Sequence, residues 1–101
     1  MKARIETSPT GFRYIAVAMS MDWAQVPDRI REIRGVIGAE DVVAIARDDA
    51  LSVDMRWWDF TFKNEGFRIV YEEWPCGLSI EPKSASGASL LPDIEKLMLA
   101  A

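Results

Sequence analysis

Hydrophobic residues recur along this chain with two different periods, and the switches between them mark out its elements. Val26, Ile30, Ile33 and Ile37 follow one another at helical spacing, with Arg29, Arg31, Glu32 and Arg34 mostly facing outward. Pro27 suits the first helical turn, where its missing N–H costs nothing, and Gly38 suits the position just past the end. Asp28 complements the positive start of this helix and Arg34 its negative end. Trp23, just upstream, is placed to close over the first turn.

Elsewhere the period is two. Lys2 to Glu6 reads as extended, and Ser8-Pro9-Thr10-Gly11 as a turn. Phe12 to Met19 follows as a strand with apolar residues at both odd and even positions, which predicts a central strand covered on both faces. Val42 to Arg47 is a further strand, ended by Asp48-Asp49, and the chain is extended again from Leu51 to Lys63. In that stretch Trp58, Phe60 and Phe62 alternate with Trp57, Asp59, Thr61 and Lys63. After a turn at Asn64-Glu65-Gly66 the alternation resumes with Phe67, Ile69 and Tyr71. A hairpin aligning Phe62 with Phe67, Phe60 with Ile69 and Trp58 with Tyr71 gathers these large side chains on one face, and a one-residue slip would spoil it. Pro75-Cys76-Gly77 breaks the pairing, Leu78 to Glu81 adds a short strand, and Lys83 to Ser89 is a polar loop. Leu90 to Leu99 forms a second helix with Leu90, Ile94, Leu97 and Met98 on its apolar side and Ser89 or Leu91 as its cap.

Strand, helix, strands, helix is the order of an α+β domain. The expectation is a mainly antiparallel sheet of about four to six strands with two helices packed on one face. At 101 residues the chain is one domain, residues 1–101, and its 50% hydrophobic and 28% charged content is that of a folded protein. No apolar run reaches the roughly 18 residues needed to span a bilayer. The basic residues near Met1 have no apolar stretch behind them, so they do not read as a secretion signal and a cytoplasmic protein is expected.

Composition narrows the chemistry further. The chain has no histidine and one cysteine, Cys76. This excludes an internal disulfide, His-activated nucleophiles and the usual zinc sites. Cys76 has Glu72 and Glu73 for neighbours, and negative charge disfavours a reactive thiolate. The carboxylates Asp48, Asp49, Asp54, Glu72 and Glu73 show no metal-loop spacing and read as solvated strand ends. No glycine lies in the strand–turn–helix context of a phosphate site. No cofactor or metal is expected. A net charge of −4 disfavours nucleic acid as partner and favours a basic protein.

The back of the proposed hairpin carries Trp57, Asp59, Thr61 and Lys63 opposite Glu72, Val70, Arg68 and Gly66, with Trp74 at the far end. Tryptophans beside carboxylates are the composition of a binding patch. The candidate partner-binding residues are therefore Asp54, Trp57, Asp59, Glu72, Glu73 and Trp74. The competing reading has another element covering this face, Trp57 and Trp74 as satellite core, and Asp59–Arg68 as a cross-strand pair.

The stretch Trp57-Trp58-Asp59-Phe60-Thr61-Phe62, with Phe67 to Trp74 and Gly77-Leu78-Ser79-Ile80, resembles the sheet core of small immunity proteins that neutralise bacterial polymorphic or contact-dependent toxins. The resemblance covers about a third of the chain. It implies a cytoplasmic, non-catalytic protein that occludes a basic surface of a toxin domain. A homodimer pairing through the polar sheet face, and an enzyme using carboxylates with a divalent metal, are the rival readings.

Overall fold

The computed structural model describes residues 1–19, 21–45, 55–72 and 77–101. Its strands are β1 (Lys2–Thr7), β2 (Arg13–Ala18), β3 (Glu40–Ile45), β4 (Met55–Phe62), β5 (Glu65–Glu72) and β6 (Gly77–Pro82). They form one six-stranded sheet in the order β1-β2-β6-β5-β4-β3, with every pairing antiparallel. Helix α1 (Val26–Ile37) joins β2 to β3, and after β6 come a single turn α2 (Ala85–Ala88) and helix α3 (Leu91–Leu99). The expected α+β architecture, with its antiparallel sheet and two main helices, is the observed one. None of the described helices is long and apolar enough to cross a membrane.

The helical periodicity of α1 converts directly into packing. Val26, Ile30, Ile33 and Ile37 are its buried residues, and Gly38 ends it at φ 68°, the left-handed conformation that glycine adopts without strain. Asp22 and Gln25 close a reciprocal capping box around the 3₁₀ turn Trp23–Gln25 that leads into the helix. Trp23 packs at the margin of the core. It turns toward the sheet, its ring 5.8 Å from that of Tyr71. The Arg56 guanidinium lies 5.0 Å from the Trp23 ring and 5.2 Å from that of Trp58, and it donates to the Trp23 carbonyl at 3.3 Å. This cation–π sandwich ties the helix lead-in to β4.

Helix α3 buries Leu91, Ile94 and Met98, whereas Leu97 is 41% exposed. Ile94 and Met98 are thus buried as expected, while Leu90 is the cap and only half-buried, and Leu91 takes its place in the core. The polar segment 83–89 is not all loop. Ser84 caps α2 by accepting from the Gly87 N–H, and buried Gly87 sits close to the Gly66 carbonyl, where a Cβ would come within 3.4 Å.

Both helices contribute to one core with the sheet residues Ile15, Val17, Trp58, Phe60, Phe62, Phe67, Ile69, Tyr71, Leu78 and Ile80. Phe60 and Phe67 stack at 5.5 Å, and Phe62 meets Phe67 edge-on at 6.3 Å. Each such side chain gains about 1.5–3 kcal/mol from leaving water.

Two expectations about the sheet are corrected. First, β2 lies one strand in from an edge, and only Ile15 and Val17 of its residues are buried; Tyr14 and Ala16 are half-buried and Ala18 is exposed. Small residues at even positions lower the polarity of that face without a second layer over it among the described residues. Second, the β4–β5 hairpin pairs Phe60 with Phe67, Trp58 with Ile69 and Phe62 with Glu65, a shift of two residues from the expected register. The connection is the two-residue turn Lys63-Asn64, with φ 51° and 65°, and not Asn64-Glu65-Gly66. Positive φ at both positions matches the twist of the flanking strands. A shift of two leaves every side chain on its expected face, which is why the pattern predicted the faces correctly and the partners wrongly.

Candidate functional site

Strand periodicity sends Met55, Trp57, Asp59 and Thr61 of β4 to the sheet face opposite the helices. Their direct partners on β5 are Glu72, Val70, Arg68 and Gly66. Ser79 lies opposite Val70 and Ala16 opposite Ser79, while on the outer side Ile45 lies opposite Trp57. A strip without charge therefore crosses the far face through Ile45, Trp57, Val70, Ser79 and Ala16, flanked by charged rows.

The best-defined cluster is built on Asp59. Its Oδ1 accepts from Arg68 Nε at 2.7 Å and its Oδ2 from Arg68 Nη2 at 3.2 Å. Lys83 Nζ donates to the same Oδ2. The Lys83 chain runs over Gly66, where a Cβ would meet its Cδ at 3.3 Å. Above the pair, the Arg68 guanidinium lies 4.4 Å from the centre of the Trp57 ring. Glu81, opposite Arg68, carries its own hydrogen bond from the Ser79 hydroxyl at 3.3 Å.

These contacts set the ionisation of the cluster. The hydrogen bond from Arg68 is the main reason that the Asp59 carboxyl is held below its ordinary value; partial desolvation opposes it, and Lys83 adds to the lowering. The hydrogen bond to Asp59 likewise raises Arg68, with further help from Glu81. At neutral pH Asp59 and Arg68 are both ionised and form a forked arginine–carboxylate pair at the centre of the cluster.

Three of the six candidate residues, Trp57, Asp59 and Glu72, lie on this face in adjacent strands, each half-buried. Asp54, Glu73 and Trp74 lie outside the described residues, as do Asp48, Asp49 and Cys76. Asp59 is neutralised by two cations, so the acidic character of the set rests on its other members. Over the described residues the face carries charges of both signs, with Lys2, Arg4, Arg68 and Lys83 beside Glu6, Glu40, Asp59, Glu72 and Glu81. Sequence reasoning placed Arg68 in a cross-strand pair with Asp59 only as the rival reading, and that pair is present. It missed Lys83 altogether, because a residue just past a strand end reaches Asp59 only through the β5–β6 register. Arg31 and Arg34 are exposed on α1 as expected of a solvated helix face, whereas Arg29 is half-buried; Arg29 bridges Glu32 and Arg31 bridges Asp28 one turn apart. Among the described residues no group of three cysteine, aspartate or glutamate side chains converges as metal ligands would.

Comparison with protein-family models, with curated proteins and with solved structures finds no match to this chain.

Proposed function

We propose that the chain is a protein-interaction domain of the immunity-protein kind, which binds a basic partner through the far face of its sheet and acts by occlusion. The observation that carries the reading is the division between the two faces. The helices cover one face and bury its aromatic residues there, while Trp57, Asp59, Arg68 and Glu72 share the other. Trp57 supplies large contact area, and Arg68 and Asp59 fix its surroundings by a forked ion pair before any partner arrives. Tryptophan and arginine in a pre-organised setting are the residues that dominate binding energy at protein interfaces. The net charge of −4 favours a basic partner, such as a toxin domain whose substrate is nucleic acid, and the encounter would take place in the cytoplasm.

The test is affinity capture from a lysate of the native host, with the purified chain as bait and a Trp57→Ala/Trp74→Ala variant as control. A basic protein retained by the wild type and lost by a folded variant supports the reading. Equal retention by both removes the far face from it.

A further inference from the structure

The two edges of the sheet are treated differently. At the β1 edge, α3 packs over the strand and Glu95 Oε2 accepts from the Ile5 N–H at 2.8 Å, so an outward-facing donor of that strand is already taken. The β3 edge has no strand beyond it among the described residues, and Val43 there is 55% exposed. A bulge between Glu40 and Val43, with Asp41 at φ 52°, twists the first part of β3 away from regular pairing. Val43, Ala44 and Ile45 then run in regular register against Asp59, Trp58 and Trp57.

Beside this edge, on the helix side of the sheet, lies a shallow groove of about 290 Å³ between α1 and β3. Ile30, Val42, Ala44 and Trp58 give it an apolar floor, and Arg31 and Arg34 stand on its rim. Arg34 has no ion-pair partner among the described residues, and Arg31 meets only the exposed Asp28 one turn back. An exposed pair of that kind is worth little and is readily exchanged.

We propose that the β3 edge and this groove take up an extended, apolar segment of a partner protein that carries carboxylates on the side facing α1. Main-chain pairing to Val43–Ile45 would supply affinity, and alternate side chains of the added strand would enter the groove, with the carboxylates meeting Arg31 and Arg34. Charge selects this occupant over a second copy of the chain. A twofold pairing of β3 with itself would set α1 of each copy on the same side of the seam, bringing Arg31 and Arg34 toward their own counterparts. This surface is separate from the far face and does not rest on the function proposed for it.

The experiment is a titration of the isotope-labelled chain, followed by amide and indole resonances, with the blocked peptide Glu-Thr-Val-Thr-Val-Thr-Glu. Its valines and glutamates fall on one side of an extended strand. The control peptide has lysine at both ends in place of glutamate. Saturable shifts at Val43, Ala44, Ile45 and the Trp58 indole are expected below about 1 mM. The acidic peptide should bind about five-fold or more tightly than the basic one. An Arg31→Glu/Arg34→Glu variant, altered only at exposed positions, should reverse that preference while still unfolding in one cooperative transition, at most a few degrees lower. Shifts confined to the far face, no shifts at about 1 mM, or equal affinity for the two peptides would each overturn the proposal. Concentration-dependent broadening at β3 without peptide would overturn it in favour of a second copy.

Discussion

The same six strands present two unlike faces. On the helix side, Ile15, Phe67, Ile69 and Ile80 are at most 1% exposed and touch residues from α1, α3 or neighbouring strands. On the far side, the corresponding positions carry half-buried Tyr14, Arg68 and Glu81 and buried Val70, with Arg68 held in an ion pair with Asp59. What differs is the kind of interaction each face can lose. The helix side rests on close packing, where a missing methylene leaves a void. The far side rests on paired charges and one stacked aromatic, which exchange with solvent or a partner at low cost. A single alternating sequence can thus place stability on one face and leave the other available for recognition.

Substitutions sharpen the comparison, beginning with the largest effect. Phe67→Ala removes a fully buried ring packed against Phe60 and Phe62, and should cost about 3–5 kcal/mol in urea unfolding. Trp57→Ala, on the far face, should cost about 1–2 kcal/mol, because the ring is only half-buried. Equal costs for the two would break the distinction between the faces.

Asp59→Asn should cost about 1 kcal/mol at neutral pH, since it leaves Arg68 and Lys83 without their common counter-charge. The sign with pH follows from the lowered value of the Asp59 carboxyl. Its contribution is full above the unfolded value of about 3.9 and is lost as the pH falls through the depressed folded value. The stability gap between wild type and Asp59→Asn should therefore stay constant from about pH 6 to 9 and close on strong acidification. A gap that widens in acid would contradict the assigned pairing. Smallest of all, Arg31→Glu should change stability by no more than about 0.5 kcal/mol, because Arg31 and Asp28 are both well exposed.

Much of this division could be read from the chain. Val26, Ile30, Ile33 and Ile37 specified α1 and its buried side without ambiguity, and the alternation of Trp58, Phe60 and Phe62 assigned both faces of β4. The hairpin register escaped because a two-residue shift preserves every face, and Gly66 competed with Asn64 as the turn signal. Gly66 lies instead in the strand under the Lys83 chain, a close approach set by the β5–β6 pairing. The same holds for the Asp59 cluster. Asp59 and Arg68 were legible as opposite charges on paired strands, but Lys83 and the closing of the β1 edge by Glu95 depend on tertiary placement alone. On the sheet itself, apolar residues at even positions of β2 suggested a second cover, because alanine and tyrosine tolerate partial exposure as readily as burial.

Adjacent tryptophans on opposite faces provide the most direct test of the central claim, that the far face is the recognition surface. Trp57 stacks under Arg68 on that face, and Trp58 belongs to the core on the helix side. Their indole N–H resonances can be followed while the basic partner, captured by the wild type and lost by the Trp57→Ala/Trp74→Ala variant, is titrated into the labelled chain. The account predicts that the Trp57 signal shifts and saturates with binding while that of Trp58 stays in place. Movement of Trp58 with Trp57 unchanged would contradict it and put recognition on the helix side.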